Sequence, residues 1–273
     1  MVKVLDDAAV RRYREEGYLT PIRIFTPEQA RAMRAELEGF EAKQGPVFTE
    51  NRPRPGDRFQ GSYRFKSHLL FKWLADAVRH PRILDLVEDI IGSDILCWTT
   101  HWFIKDAQSP QYVSWHQDSN YWGVETDDLV SVWLALSPST THSGCIRLLP
   151  GSHRLAPMNH VDTYAEDNML TRGQTIEGID ESQSVNMEVA PGEVAVFDYR
   201  LAHASHPNTS DDRRIGIGIR YIPPSARQVL SDWDSASLVR GQDRYGHFEL
   251  EPEPTRDLDP PAVEIQLRAD RSE

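Results

Sequence analysis

The chain has 273 residues, 39% of them hydrophobic and 26% charged, with 42 acidic against 30 basic side chains and a formal net charge of −12. These values fit a soluble globular protein of one large or two small domains. They argue against nucleic acid or an anionic membrane as partner, although one or two buried Arg or Lys can still set a local positive field. No apolar run approaches the roughly 18 residues of a membrane span. The opening Met1-Val2-Lys3-Val4-Leu5-Asp6-Asp7 lacks the basic-then-apolar pattern of a secretory leader. Cys97 and Cys145 each lie in an apolar stretch, which predicts buried free thiols in a reducing cytoplasm.

Residues 1–92 read as mostly helical. Asp6-Asp7 can cap a first helix through Tyr13 that ends at Gly17. Thr26-Pro27-Glu28 is a stronger start, with an N-cap hydroxyl, proline at the first helical position and an acid in the first turn. That helix should run past Met33, Leu37 and Phe40, one apolar stripe. Gly45 to Gly61 reads as a surface loop. Ser67 to His80 and Pro81 to Ile91 are predicted as two further helices, closed by Gly92.

After Ser93 the texture changes to short strands: Ile95–Ile104, Tyr112–His116, Leu129–Leu136, Cys145–Leu149, Val185–Val189, Val194–Tyr199 and Arg214–Ile222. Residues 157–183 form a long polar stretch of the kind that serves as a lid or binding loop. Helices followed by many short strands predict a mainly β chain, an antiparallel double-sheet jelly roll with N-terminal helices packed outside. We expect one domain over 1–273: mostly helical to 92, a jelly-roll core over 93–222, and a peripheral segment over 223–273 whose tail from Glu249 is Pro-rich and acidic.

The chemistry centres on Ser114-Trp115-His116-Gln117-Asp118. The two-residue period of a strand aims His116 and Asp118 at one point and turns Gln117 away. One imidazole and one carboxylate are two thirds of a 2-His-1-carboxylate iron site. His203, His206 and His153 compete for the third position. Eleven residues past His203, the run Arg214-Ile215-Gly216-Ile217-Gly218-Ile219-Arg220 puts two Arg and two Gly on one face and three Ile on the other. The Ile face suits a core, and the Gly/Arg face leaves room for an anion. A guanidinium can hold a carboxylate bidentately, and Arg214 is the better clamp because Arg213 falls on the Ile face.

With these residues in place, the chain resembles the phytanoyl-CoA dioxygenase family of Fe(II)/2-oxoglutarate oxygenases, from about Asp6 to Ile222. The motifs that carry the resemblance are Trp115-His116-Gln117-Asp118, Gly144 through His153, and His203-x-Ser205-x-x-Asn208-x-Ser210-x-x-x-Arg214. It implies a double-stranded β-helix, the cupin-like form of the jelly roll. It also implies that His116, Asp118 and His203 bind iron and that Arg214 and Ser205 hold the distal carboxylate of 2-oxoglutarate. Lys66, Gln117 and Trp133 match family positions that contact this cosubstrate, and His101 falls at another where the residue type differs. The implied reaction consumes O2 and 2-oxoglutarate and releases succinate and CO2. A carboxylate at Asp118, where related halogenases have a small residue, implies hydroxylation or desaturation and no halogenation.

The expected substrate is a small polar or anionic molecule, in a pocket walled by Gln60 to Arg64, Tyr121-Trp122, residues 157–183 and Trp233. A monomer or homodimer in the cytoplasm is expected, with no nucleic acid or membrane partner. Two other readings compete. A cupin-type metalloenzyme independent of 2-oxoglutarate needs no Arg214 clamp, and a silent jelly roll binding a carbohydrate or small molecule needs no metal.

Overall fold

In the computed structural model, the structure describes residues 4–49, 61–170 and 172–271. The N-terminal part contains α1 (Asp7–Glu16), β1 (Tyr18–Arg23), α2 (Pro27–Gln44), α3 (Lys72–Val78) and α4 (Pro81–Ile91). The strands that follow are β2 (Ile95–Lys105), β3 (Val113–His116), β4 (Val124–Glu125), β5 (Val130–Ala135) and β6 (Ile146–Leu148). Next come β7 (His160–Val161), β8 (Thr175–Ile176), β9 (Val185–Met187), β10 (Glu193–Asp198) and β11 (His203–Ser205). The chain closes with β12 (Arg214–Ile222), β13 (Arg227–Gln228), β14 (Ser235–Arg240), β15 (Glu249–Leu250) and α5 (Pro260–Asp270).

The helix starts follow their capping chemistry. Asp6 accepts from the Ala9 N–H, and Gly17 ends α1 at φ 88°. Thr26 and Gln29 cap α2 reciprocally: the Gln29 N–H donates to Thr26 Oγ1, and the Thr26 N–H donates to Gln29 Oε1. The stretch predicted as one helix from Ser67 to His80 is instead a 3-10 turn over Ser67–Leu69 followed by α3. Most of the 45–61 loop lies outside the described residues.

Two sheets, antiparallel except for the β14–β15 pair, form the jelly roll. The larger has the strand order β1-β10-β5-β12-β2-β14-β15, and the smaller β3-β11-β6-β9. Strand β12 is central in the larger sheet. Its Ile215, Ile217 and Ile219, all fully buried, face the helices together with Trp102, Val132, Leu134, Leu37, Leu74 and Leu86. Each such isoleucine contributes about 1.5–3 kcal/mol by burial, so Ile217→Asp would break the layer. The other face of the sheet turns toward the smaller sheet across Trp133, Ala135, Leu148, Met187 and Phe197. Pairing between Arg213 and Glu41, and between Arg34 and Asp212, ties α2 to the entry of β12 and so fixes where Arg214 begins.

Two expectations need correction. Tyr18–Arg23 is a strand, paired with β10 through Tyr18↔Phe197 and Leu19↔Val196, inside a region read as helical. The segment from 223 onward is not peripheral, because β14 pairs with β2 and extends the main sheet. In both cases the partner strand is far away in sequence, and the short segment carries no local signal for it. The 157–183 stretch contains the small β7–β8 ribbon. Both cysteines are free and buried. No helix among the described residues is long and apolar enough to cross a membrane.

Candidate functional site

His116 ends β3 and His203 opens β11, and the two are directly opposed partners in the antiparallel ladder. His203 therefore belongs to its own short strand, separated from β10 by a turn. The two imidazole rings lie 4.1 Å apart, centroid to centroid. Asp118 is not in the strand, since a 3-10 turn begins there. Gln117 is still extended, however, so the two-residue alternation carries through and brings the carboxylate to the same side.

The ligand atoms of His116, Asp118 and His203 all lie within 4.8 Å of one another, and all three residues are buried. Each histidine donates from Nδ1 to the carbonyl two residues before it, His116 to Ser114 and His203 to Leu201, at 2.9 Å in each case. That bond leaves Nε2 as the free lone pair and fixes the ring. Asp118 Oδ1 sits 3.5 Å from His116 Nε2 and 3.9 Å from His203 Nε2. Burial alone would raise the Asp118 carboxyl, but His203, His116 and Arg220 more than offset it and hold it at about 2. Burial, reinforced by His116, pushes His203 down to about 4, so its imidazole is neutral at physiological pH. Neutral imidazole and ionised carboxylate are the donor states a divalent metal requires.

In the large sheet, Arg214 lies opposite Lys105 in the β12–β2 ladder. Arg214 is 2% exposed and Lys105 fully buried. Arg214 donates to the Gly144 carbonyl, and its Nε has no hydrogen-bond partner among the described residues. Its guanidinium lies 5.6 Å from the Trp133 ring centroid. A Cβ at Gly216 would come within 1.9 Å of that ring, so the glycine is what lets Trp133 lie against the strand. Ser205 Oγ accepts from Lys105 Nζ at 2.7 Å, and Asn208 Nδ2 donates to the Lys105 carbonyl at 3.2 Å. Lys105, Ser205, Trp133 and Arg214 thus surround one buried, cationic spot.

Not every predicted contact residue arrives there. Lys66 Nζ donates to the carbonyls of Trp98 and Ser235 and pairs with Glu251 at 2.6 Å, so its hydrogens are committed to the C-terminal segment. Gln117 also faces elsewhere: its Nε2 donates to the Arg200 carbonyl, and its Oε1 accepts from the Met158 N–H. With the bond from its own N–H to His160 Nε2, it fastens the 157–183 loop to the metal strand. Alternation along β3 had pointed Gln117 away, and the fold follows the alternation.

His101 shares the ladder row of Gly218 and Trp133, with its ring against Phe65 and Phe103. Burial, with Arg64 and Arg220 nearby, drives it well below the usual histidine range. His153 is a turn residue facing the Arg14 carbonyl, and His206 contacts Arg147, so neither joins the metal cluster.

Arg220, read from sequence only as part of the Gly/Arg face, reaches the metal cluster. Its Nη2 lies 3.7 Å from Asp118 Oδ2, and its Nε and Nη1 are buried without hydrogen-bond partners among the described residues. The guanidinium sits between the Phe103 and Trp122 rings, 5.3 and 5.1 Å from their centroids, over the bare Cα of Gly218. The run of two Gly between two Arg was the available signal. Of the predicted pocket walls, Arg64 and the 164–170 stretch line a cavity of ≈ 440 Å³ together with Phe48, Ile104 and Gln111. Trp233 instead stacks on Arg268, and Gln60 lies outside the described residues.

Comparison with known proteins bears on this geometry. The sequence profile of the phytanoyl-CoA dioxygenase family matches residues 13–216. A protein of Stutzerimonas stutzeri described as a probable alpha-ketoglutarate-dependent hypophosphite dioxygenase is 24% identical over 247 residues, 88% of this chain and 82% of that protein. Among solved structures, the apo form of the non-heme monooxygenase ThoJ superposes with a TM-score of 0.84 at 31% identity, over 96% of this chain and 95% of that one. CytC3 with Fe(II) and alpha-ketoglutarate superposes with a TM-score of 0.64 at 25% identity, over 89% and 92%.

Proposed function

The chain belongs to the phytanoyl-CoA dioxygenase family, a family of Fe(II)/2-oxoglutarate-dependent dioxygenases, and we propose that it hydroxylates a small polar or anionic molecule at an iron held by His116, Asp118 and His203. The carrying observation is the buried triad itself, with two opposed imidazoles presenting Nε2 and one carboxylate oxygen within 4.8 Å. When bound, iron and 2-oxoglutarate supply oxidative decarboxylation by O2 to succinate and CO2, coupled to oxidation of a substrate C–H bond. The protein's own part is to hold the donors rigidly, to keep the centre dry and to orient the two organic molecules.

In this reading Arg214 and Ser205 take the distal carboxylate of 2-oxoglutarate, with Trp133 as the wall beside it. The orphaned Nε of Arg214 supports that assignment, because a buried guanidinium with an unused donor calls for an anion. A metalloenzyme that worked without the cosubstrate would have no use for such a group. Asp118 fills the third protein position on the metal, which favours hydroxylation or desaturation over halogenation. Arg220, with Nε and Nη1 unpartnered among the described residues beside Asp118, supports a substrate that is polar or anionic. The similarity to a protein described as acting on hypophosphite, a small anion, agrees with this class. The same reading treats 1–273 as a single domain, since the C-terminal segment completes the main sheet.

The test is succinate release from purified protein given Fe(II), 2-oxoglutarate and O2, with a metabolite panel as substrate. Succinate should form in the wild type and fall to background in Asp118→Ala and His203→Ala. A folded, iron-loaded wild type that forms none would defeat the proposal, and a chlorinated product under high chloride would defeat the assignment of Asp118.

A further inference from the structure

We propose that Lys105 is a second cation at the cosubstrate seat, closing with Arg214 on the same distal carboxylate of 2-oxoglutarate. This rests on the cosubstrate reading above and adds a residue that the family motif does not single out. Lys105 is the last residue of β2, and Arg214, directly opposite, is the first of β12. Side chains so placed lie roughly 5 Å apart at Cβ, and two like charges there repel. A fold that buries such a pair without a partner has left a place for an anion.

The surroundings of the Lys105 amine supply none. Strand β12 offers Arg214, and β11 with the turn after it offers the Ser205 hydroxyl and the His206 carbonyl, both of which accept from Nζ. The loop before β6 offers Cys145, a thiol that burial pushes up to about 11 and keeps neutral. The neighbouring acids face elsewhere, Asp106 to Arg213 and Asp212 to Arg34. The His206 ring is turned to Arg147. Among the described residues, no carboxylate pairs with either Lys105 or Arg214.

Counting hydrogens sharpens the point. A neutral amine has two N–H groups, and Ser205 and His206 use both. Protonation adds a third, which has no acceptor among the described residues. Burial and then Arg214 accordingly push Lys105 down to about 6, so the amine is largely neutral at pH 8. A carboxylate laid between Arg214 and Lys105 provides the missing acceptor. It also takes the Ser205 hydroxyl proton, which is free because that oxygen accepts from Lys105. Binding of the cosubstrate should therefore draw a proton onto Lys105.

The experiment is anaerobic titration of the Fe(II)-loaded protein with 2-oxoglutarate, followed by the visible charge-transfer absorption and by calorimetry in buffers of different ionisation enthalpy. For the wild type at pH 8 we expect uptake approaching one proton per cosubstrate. Affinity should weaken by up to tenfold per pH unit as pH rises above about 6. Lys105→Met should bind roughly 10- to 100-fold more weakly, with no proton uptake and a flat pH dependence. Lys105→Arg should recover part of the affinity and none of the uptake. Unchanged affinity in Lys105→Met overturns the proposal, as does wild-type binding that is independent of pH and buffer, a result that needs no variant to fold. Wild-type protein that loads iron but binds no 2-oxoglutarate overturns the cosubstrate reading itself, which separates that failure from a failure of Lys105 alone.

Discussion

Two buried lysines meet opposite electrostatic fates in this fold. Lys66 pairs with Glu251, whose other oxygen faces His68 Nε2 at 3.1 Å, and Ser235 and Ser237 complete the cluster with hydrogen bonds to the same carboxylate. Lys105 faces Arg214 and, among the described residues, has only a hydroxyl and a carbonyl as acceptors. The first cluster is closed and clamps the C-terminal segment to the sheet. The second has no carboxylate among the described residues, and in the proposed reading the cosubstrate supplies it. Burial alone does not distinguish a structural cation from a binding one, whereas the count of satisfied hydrogens does.

The comparison can be broken most forcefully at Glu251. Glu251→Leu strands the Lys66 charge, and we expect a loss of roughly 3–5 kcal/mol in chemical denaturation. A loss below about 1 kcal/mol would mean that the cluster is not what holds the tail. The same carboxylate sets an acid limit. Burial would raise it, but Lys66 and His68 hold it at about 2, below its unfolded value of about 4.3. Its contribution is therefore complete above that unfolded value and should drain away as pH falls toward 2, a dependence that Glu251→Gln should lack in acid-unfolding curves.

Next in size, Gly216→Ala drives a methyl into Trp133 and should cost about 1–3 kcal/mol. Cosubstrate affinity should fall with it, because the ring beside Arg214 must move. Retained affinity would show that the wall is not part of the seat. The smallest effect on stability is expected at Lys105. Lys105→Met removes no ion pair and should change unfolding free energy by less than about 1 kcal/mol. If it cost as much as Glu251→Leu, the distinction between the two lysines would collapse.

Much of this was legible in the residues. The alternation of Arg214 to Ile222 defined a strand with an isoleucine core face and an Arg/Gly face, and β12 has those bounds and that burial. The capping residues of α2 marked its start. The histidine and aspartate two apart came together, although the strand stops between them. What was not legible depends on partners distant in the chain. Nothing in Arg64-Phe65-Lys66-Ser67-His68 announces Glu251, so the motif match assigns Lys66 to the cosubstrate, while Lys105 closes an apolar strand with no motif to mark it. Gln117 shows the converse: local alternation turned it away from the site and the motif match turned it back, and its amide is held by Arg200 and Met158. Arg220 reached the metal cluster because Gly218 leaves it room to fold across the sheet, a consequence of packing that no spacing rule contains.

The central claim is that the triad and Arg214 together form one metal and cosubstrate site. Anaerobic addition of Fe(II) and then 2-oxoglutarate should produce a weak visible charge-transfer band in the wild type. That band should be lost in Asp118→Ala through loss of iron, and should require far more 2-oxoglutarate in Arg214→Gln. Iron-loaded wild type that stays colourless at saturating 2-oxoglutarate would contradict it.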